Sequence, residues 1–247
     1  MIETPIEIKT PGGVSDGLLY QPEAQGKWPG VIFLTDIVGI RASQQQEARQ
    51  LCEAGFVVLM PNIFFRTGRP PVFAQPFDPK TEYTMKRLPE LRASLPPAAM
   101  ESDGSAYADF LAKQPAVGSR LFGIVGFCFA GAMALRTAAA RPDKIGAAAS
   151  FHGGGLFSDA PDSPYTVLPR VKAQLYFGHA VEDRSMTREA IEKLEAALAA
   201  WGGKFESETY EGCLHGWTTL DSPVYNAEGA ARAFQKLTAL FRGALVA

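Results

Sequence analysis

Six strand-like runs, most of them continuously apolar, constrain this chain more than any other feature. They are "GVIFLTD" (30–36), "FVVLMPN" (56–62), "LFGIVGF" (121–127), "GAAASFHG" (146–153), "AQLYFGHA" (173–180) and "FESETYEG" (205–212). An unbroken apolar run of this length suits a strand buried on both faces. Helical segments are expected over about Ala42–Ala54, Ser102–Lys113, Ala130–Arg141, Thr187–Trp201 and Ala227–Leu245. Gly55 closes the first and Gly202 and Gly203 the fourth. Strands alternating with helices imply an α/β fold: a mostly parallel central sheet with helices on both faces. Ahead of these runs, "IEIKT" and "SDGLLYQP" flank "PGGV" and predict a hairpin.

Composition narrows the function classes. Of 247 residues, 47% are hydrophobic and 20% charged, as a globular core requires. The net charge of -2 and the lack of a Lys/Arg stripe argue against a nucleic-acid partner. The apolar runs are too short to cross a membrane. The N-terminal "MIETPIEIKTPGG" does not have the pattern of a secretory signal. Three cysteines, Cys52, Cys128 and Cys213, fit neither a disulfide framework nor a zinc spacing. A cytoplasmic protein of one domain spanning 1–247, with no metal or organic cofactor, is expected.

Residues 62–101 break the alternation. Seven prolines interrupt the segment, with Phe64, Phe65, Phe73, Phe77 and Tyr83 between them. It is expected either to cover a pocket, with a short helix near Thr81–Arg92, or to pack as a surface excursion on its own aromatics.

In a parallel sheet, ligands bind beyond the carboxyl ends of the strands. Asp36, Asn62, Cys128, His152, Asp183 and His215 occupy those ends. Around Cys128 the chain reads "GIVGFCFAGAMAL", with Gly126 two residues before and Ala130 two residues after. Small residues at those positions permit a sharp strand-to-helix turn that exposes one nucleophilic atom, the elbow of the α/β-hydrolase fold. The helix N-terminus favours a thiolate there. A packed, inert cysteine is the competing reading, and it suits Cys52. A thiol nucleophile needs a base and an orienting acid. Of His152, His179 and His215, His215 is the expected base, because Cys128, Asp183 and His215 run in the order nucleophile, acid, histidine and all fall at strand ends. Asp183 is the preferred acid and Glu182 the alternative. The backbone N–H groups of Phe129 and Ile37 are the expected oxyanion donors.

At these residues the chain resembles the dienelactone hydrolase family, nearly end to end. "VIFLTDIVGIR" is similar to its segment after the third strand and "VLMPNIFFR" to its fourth-strand segment. "VGFCFAG" is similar to its cysteine elbow, "GHAVEDRSM" to its acid loop and "GCLHGW" to its histidine loop. The resemblance implies a Cys128–His215–Asp183 triad, a thiol ester intermediate and a small ester or lactone substrate. It also implies that Asp36 stands where the type member's glutamate controls activation of the thiol. Two substrate-binding arginines of the type member have no direct counterpart. Thr219 stands at one place and the other falls near Met85, leaving Lys86 and Arg87 as candidate cations. Phe64, Tyr83, His152 and Trp217 complete the expected substrate contacts. Two rivals are a hydrolase of neutral esters or thioesters and a catalytically silent binding protein on the same fold.

Overall fold

The computed structural model describes residues 1–74 and 76–245. Eight strands form one sheet in the order β1-β2-β4-β3-β5-β6-β7-β8. The hairpin β1 (Ile2–Thr10) and β2 (Gly13–Gln21) is antiparallel, and β2 pairs antiparallel with β4 (Val57–Pro61). From β4 onward the sheet is parallel through β3 (Gly30–Leu34), β5 (Phe122–Phe127), β6 (Ile145–Phe151), β7 (Gln174–Ala180) and β8 (Phe205–Tyr210).

Strand β3 shows why the central runs are apolar throughout. Ile32 and Leu34 enter the core under α3 (Pro97–Leu111), α4 (Ala130–Ala140) and α5 (Arg188–Trp201). Val31 and Phe33 enter the opposite core, under α1 (Ala42–Glu53) and α6 (Ala227–Leu245). A period of two along a strand covered on both faces leaves no polar position. Burying a Leu, Ile or Phe at each is worth about 1.5–3 kcal/mol.

Helix boundaries follow local chemistry. Thr187 caps α5 by accepting the Ala190 N–H, and Gly202 ends it in the left-handed region at φ 75°. Two elements depart from expectation. Helix α3 starts at Pro97 rather than near Ser102, because a proline at the first helical position lacks only an N–H that would have no partner anyway. A 3-10 helix over Pro164–Arg170 was not anticipated from sequence. Within 62–101, α2 (Glu82–Ala93) is capped by Thr81 and runs through Pro89. The segment is anchored by Arg66, which donates 2.6 Å and 3.0 Å hydrogen bonds to the buried Asp103.

The chain leaves β3 for β4 on one side and returns to β5 on the other. That reversal opens a crevice at the carboxyl ends of β3 and β5. No described helix is long and apolar enough to cross a membrane.

Candidate active site

Three non-glycine residues among those described have positive φ: Cys128 (54°), His152 (41°) and Glu182 (51°). They lie within two residues of the ends of β5, β6 and β7, so the strained backbone is concentrated around one crevice. At Cys128 the turn is enforced by packing. A Cβ on Gly126 would lie 2.1 Å from the Ala130 carbonyl oxygen, and one on Gly131 would lie 2.2 Å from Ser150 Oγ. The Cys128 N–H donates to Phe151 O (3.1 Å), and its carbonyl accepts from Gly131 N–H (3.1 Å). The side chain therefore projects from a fixed backbone at the start of α4.

The loops after β7 and β8 bring two more residues to this point. His215 Nε2 lies 3.0 Å from Cys128 Sγ, and His215 Nδ1–H donates to Asp183 Oδ2 at 2.6 Å. Asp183 Oδ1 accepts from the Ser185 N–H (2.8 Å) and hydroxyl (2.7 Å), which fixes the carboxylate. Burial opposes charge on His215, but its bonds to Asp183 and Cys128 outweigh this and push its pKa up to about 10. Burial likewise opposes ionisation of Asp183, yet His215 and Ser185 hold it below the usual carboxylate range. Glu182 is exposed, with no bond to His215. The backbone N–H groups of Ile37 and Phe129 donate to no acceptor among the described residues.

Two cavities, of about 780 and 460 Å³, meet at Cys128 and His215. The larger is walled by Val38, Ile40, Phe73, Phe77 and Leu88 and also reaches Asp36 and His152. The smaller runs along Phe129, Met100 and Gly154. Segment 62–101 thus supplies a wall of both.

Most of the expected substrate contacts do not line the two cavities. Phe64 is buried behind Phe129, 6.2 Å between ring centroids. Trp217 is buried behind His152, 5.1 Å between centroids. Tyr83 lines neither cavity itself, and its hydroxyl accepts the N–H of Ala74, which lines the larger one. Lys86 points to solvent beside Glu82, and Arg87 is engaged by Glu90 and Val72 O. Helical geometry explains the last pair, since the face of α2 turned to the cavity carries Leu88 and Arg92 instead. Arg92 lines both cavities and has no hydrogen-bond or ion-pair partner among the described residues.

His152 does line the larger cavity. Its Nε2 is 2.9 Å from Thr218 Oγ1, and burial, then the neighbouring His215, hold its pKa well below the usual value. His179 bonds Ser207 Oγ at 3.2 Å, and burial lowers its pKa to about 4. Cys52 and Cys213 are buried, which raises both thiol pKa values, that of Cys52 to about 11. Asp36 is on the cavity wall, but both its carboxylate oxygens are taken by Arg41 at 2.8 Å. Sequence reasoning missed Arg41, whose only signal was its place five residues after a strand-end acid. Among the described residues no cluster of three or more His, Cys, Asp or Glu is placed to hold a metal.

A mostly parallel sheet with an elbow after β5 and acid and histidine loops after β7 and β8 defines the α/β-hydrolase fold. The chain belongs to the dienelactone hydrolase family, whose sequence profile matches residues 15–245, and it is by class a carboxylic ester hydrolase. A Synechocystis sp. protein provisionally named a carboxymethylenebutenolidase is 30% identical over 229 residues, covering 92% of this chain and 90% of that one. The carboxymethylenebutenolidase of Rhodococcus opacus is 28% identical over 229 residues, covering 90% and 84%. The crystal structure of a Klebsiella pneumoniae protein, provisionally called a dienelactone hydrolase, superposes with a TM-score of 0.85 at 22% identity. It covers 97% of this chain and 98% of its own, a likeness of fold.

Proposed function

We propose that the protein hydrolyses a small ester or lactone through a covalent thiol ester on Cys128. The observation that carries this is the unbroken row Cys128–His215–Asp183, with contacts of 3.0 Å and 2.6 Å, where two cavities meet. Cys128 Sγ attacks the carbonyl carbon, and the carbonyl oxygen gathers negative charge between the Ile37 and Phe129 N–H groups. As the C–O bond breaks, His215 Nε2–H gives its proton to the leaving oxygen. Water then attacks the thiol ester carbonyl, His215 takes the water proton, and the carboxylic acid leaves as Sγ is released. Asp183 holds the imidazole in one tautomer and orientation throughout. No step calls for a cofactor.

The two cavities divide the substrate, with an apolar portion against Phe73, Phe77 and Leu88, and residues 62–101 covering it. Thr219, bonded by Gln44 Nε2 at 3.3 Å, offers no charge, and Arg41 is consumed by acids. An anionic substituent, where the substrate has one, is met by Arg92 alone rather than by a pair of arginines. Hydrolysis of a panel of aryl esters and lactones, neutral and carboxylate-bearing, tests the reading. Activity abolished in Cys128→Ala supports it; a panel hydrolysed equally well by that variant sinks it.

A further inference from the structure

Asp36 shapes the backbone beside the reacting atoms. Its Oδ1 accepts the Val38 N–H at 2.9 Å, and its carbonyl accepts the Gly39 N–H at 3.0 Å. These two bonds close a turn around Ile37, whose N–H is left free. The carboxylate is itself held by Arg41, which donates from Nη1 to Oδ1 and from Nη2 to Oδ2. The remaining donors of Arg41 reach elsewhere. Nη1 bonds Gly39 O at 3.1 Å, while Nε and Nη2 bond the two oxygens of Asp221 at 2.8 and 3.1 Å. All five guanidinium N–H groups are thus used, and the planar fork is fixed from two sides. Asp221 belongs to the loop that follows His215, where the Thr219 N–H bonds Gly216 O and the Ser222 N–H bonds Thr219 O.

We propose that Arg41 is a positioning residue: braced by Asp221 in the loop after His215, it locks the turn that presents the Ile37 N–H to the developing oxyanion. Asp36 is the inner anchor of this clamp and does not restrain the thiol. The inference rests on the reading of Cys128 as nucleophile. Its physical basis is that an oxyanion donor accelerates reaction only when it is already aimed at the developing charge. A displacement of about 1 Å can cost roughly 10²-fold in rate. A lone cation or carboxylate left behind in this shielded pair is also costly.

Two reactions of one thiol separate this role from a general structural one. Alkylation of Cys128 by iodoacetamide needs the Cys128–His215 pair but forms no oxyanion. Acylation by p-nitrophenyl acetate needs the pair and the oxyanion donors. In Arg41→Met and Asp36→Asn, burst-phase acylation is expected to fall by about 10²-fold, while the alkylation rate stays within about threefold. Arg41→Lys, which keeps the charge without the fork, should fall between wild type and Arg41→Met. Asp221→Asn leaves the Asp36 bonds in place and should give a smaller loss of the same kind. Faster alkylation in Asp36→Asn would overturn the proposal, because the carboxylate would then be restraining the thiol. Equal losses in both reactions, or none in either, would overturn it as well. Should a variant fail to fold, Asp221→Asn and Arg41→Lys carry the test, with thermal melting as the check. Acylation of the unmodified protein that survives in Cys128→Ala would instead defeat the nucleophile reading itself.

Discussion

Cys128 Sγ and His215 Nε2 stand 3.0 Å apart although 87 residues separate them in the chain. Each is delivered by a loop beyond its own strand, β5 for the cysteine and β8 for the histidine, and the sheet between them sets the distance. Contact between the two is therefore a property of the fold, and it places the imidazole against the thiol before any substrate arrives.

Loss of that imidazole, the proposed base, should be nearly complete in effect. His215→Ala is expected to lower kcat by at least about 10³-fold without unfolding the protein, since members of such a row act as a unit. His179→Gln is the control, because His179 bonds Ser207 and lines neither cavity. Steady-state hydrolysis of an aryl ester distinguishes them. The assignment of the base fails if His179→Gln loses activity and His215→Ala retains it.

On the proposed function, a charged substrate substituent would be met by Arg92, which lines both cavities. Removing an unpartnered guanidinium from a site where an ionised group binds costs about 1.5–3 kcal/mol, or roughly 10- to 10²-fold in affinity. Arg92→Ala should raise KM for carboxylate-bearing esters by that factor and leave neutral esters of equal size unchanged. The same KM shift for both would show that Arg92 shapes the cavity rather than reading charge.

The pH dependence of the chemistry follows from His215. Its pKa is raised to about 10, so the imidazolium that donates to the leaving group persists through neutral pH and disappears as pH rises through about 10. A pH profile of kcat/KM should show its alkaline limb near there, and Asp183→Asn should move that limb downward by removing the carboxylate that raises it. An unmoved limb in Asp183→Asn would rule out that cause.

Stability has the opposite dependence at two other histidines. An unfolded histidine titrates at about 6.5, whereas His179 titrates at about 4 and His152 well below 6.5. Below about pH 6.5 the unfolded chain binds more protons than the folded one, so stability is lost as pH falls through this window. For His179 the loss amounts to on the order of 3 kcal/mol by pH 4. Urea midpoints between pH 7 and pH 4 should drop steeply in the wild type and less so in His179→Gln. Parallel curves would refute the contribution.

The sheet, its helices and the elbow were legible in the sequence because each rests on local pattern. "LFGIVGF" has the apolar continuity of a strand covered on both sides, and Gly126 fits only where a Cβ would strike Ala130. The order Cys128, Asp183, His215 could be read for the same reason, as each residue lies in the loop after a strand. The cavity walls could not. Which of Lys86, Arg87 and Arg92 faces the thiol depends on the rotation of α2, and that is set by packing against distant residues. Phe64 and Trp217 look like binding aromatics in sequence, but tertiary packing places them one layer behind Phe129 and His152. The clamp of Arg41 on Asp36 and Asp221 joins residues 180 apart, a relation carried by no local motif.

The covalent intermediate is the most direct test. The protein should be mixed with an activated aryl ester, quenched in acid within one turnover, digested and mapped by mass spectrometry. An acyl group is expected on the peptide containing Cys128, formed at the rate of the burst and absent from Cys128→Ala, which should also be inactive. Full activity in Cys128→Ala, or a kinetically competent adduct on any other residue, would contradict the assignment of Cys128 as the nucleophile.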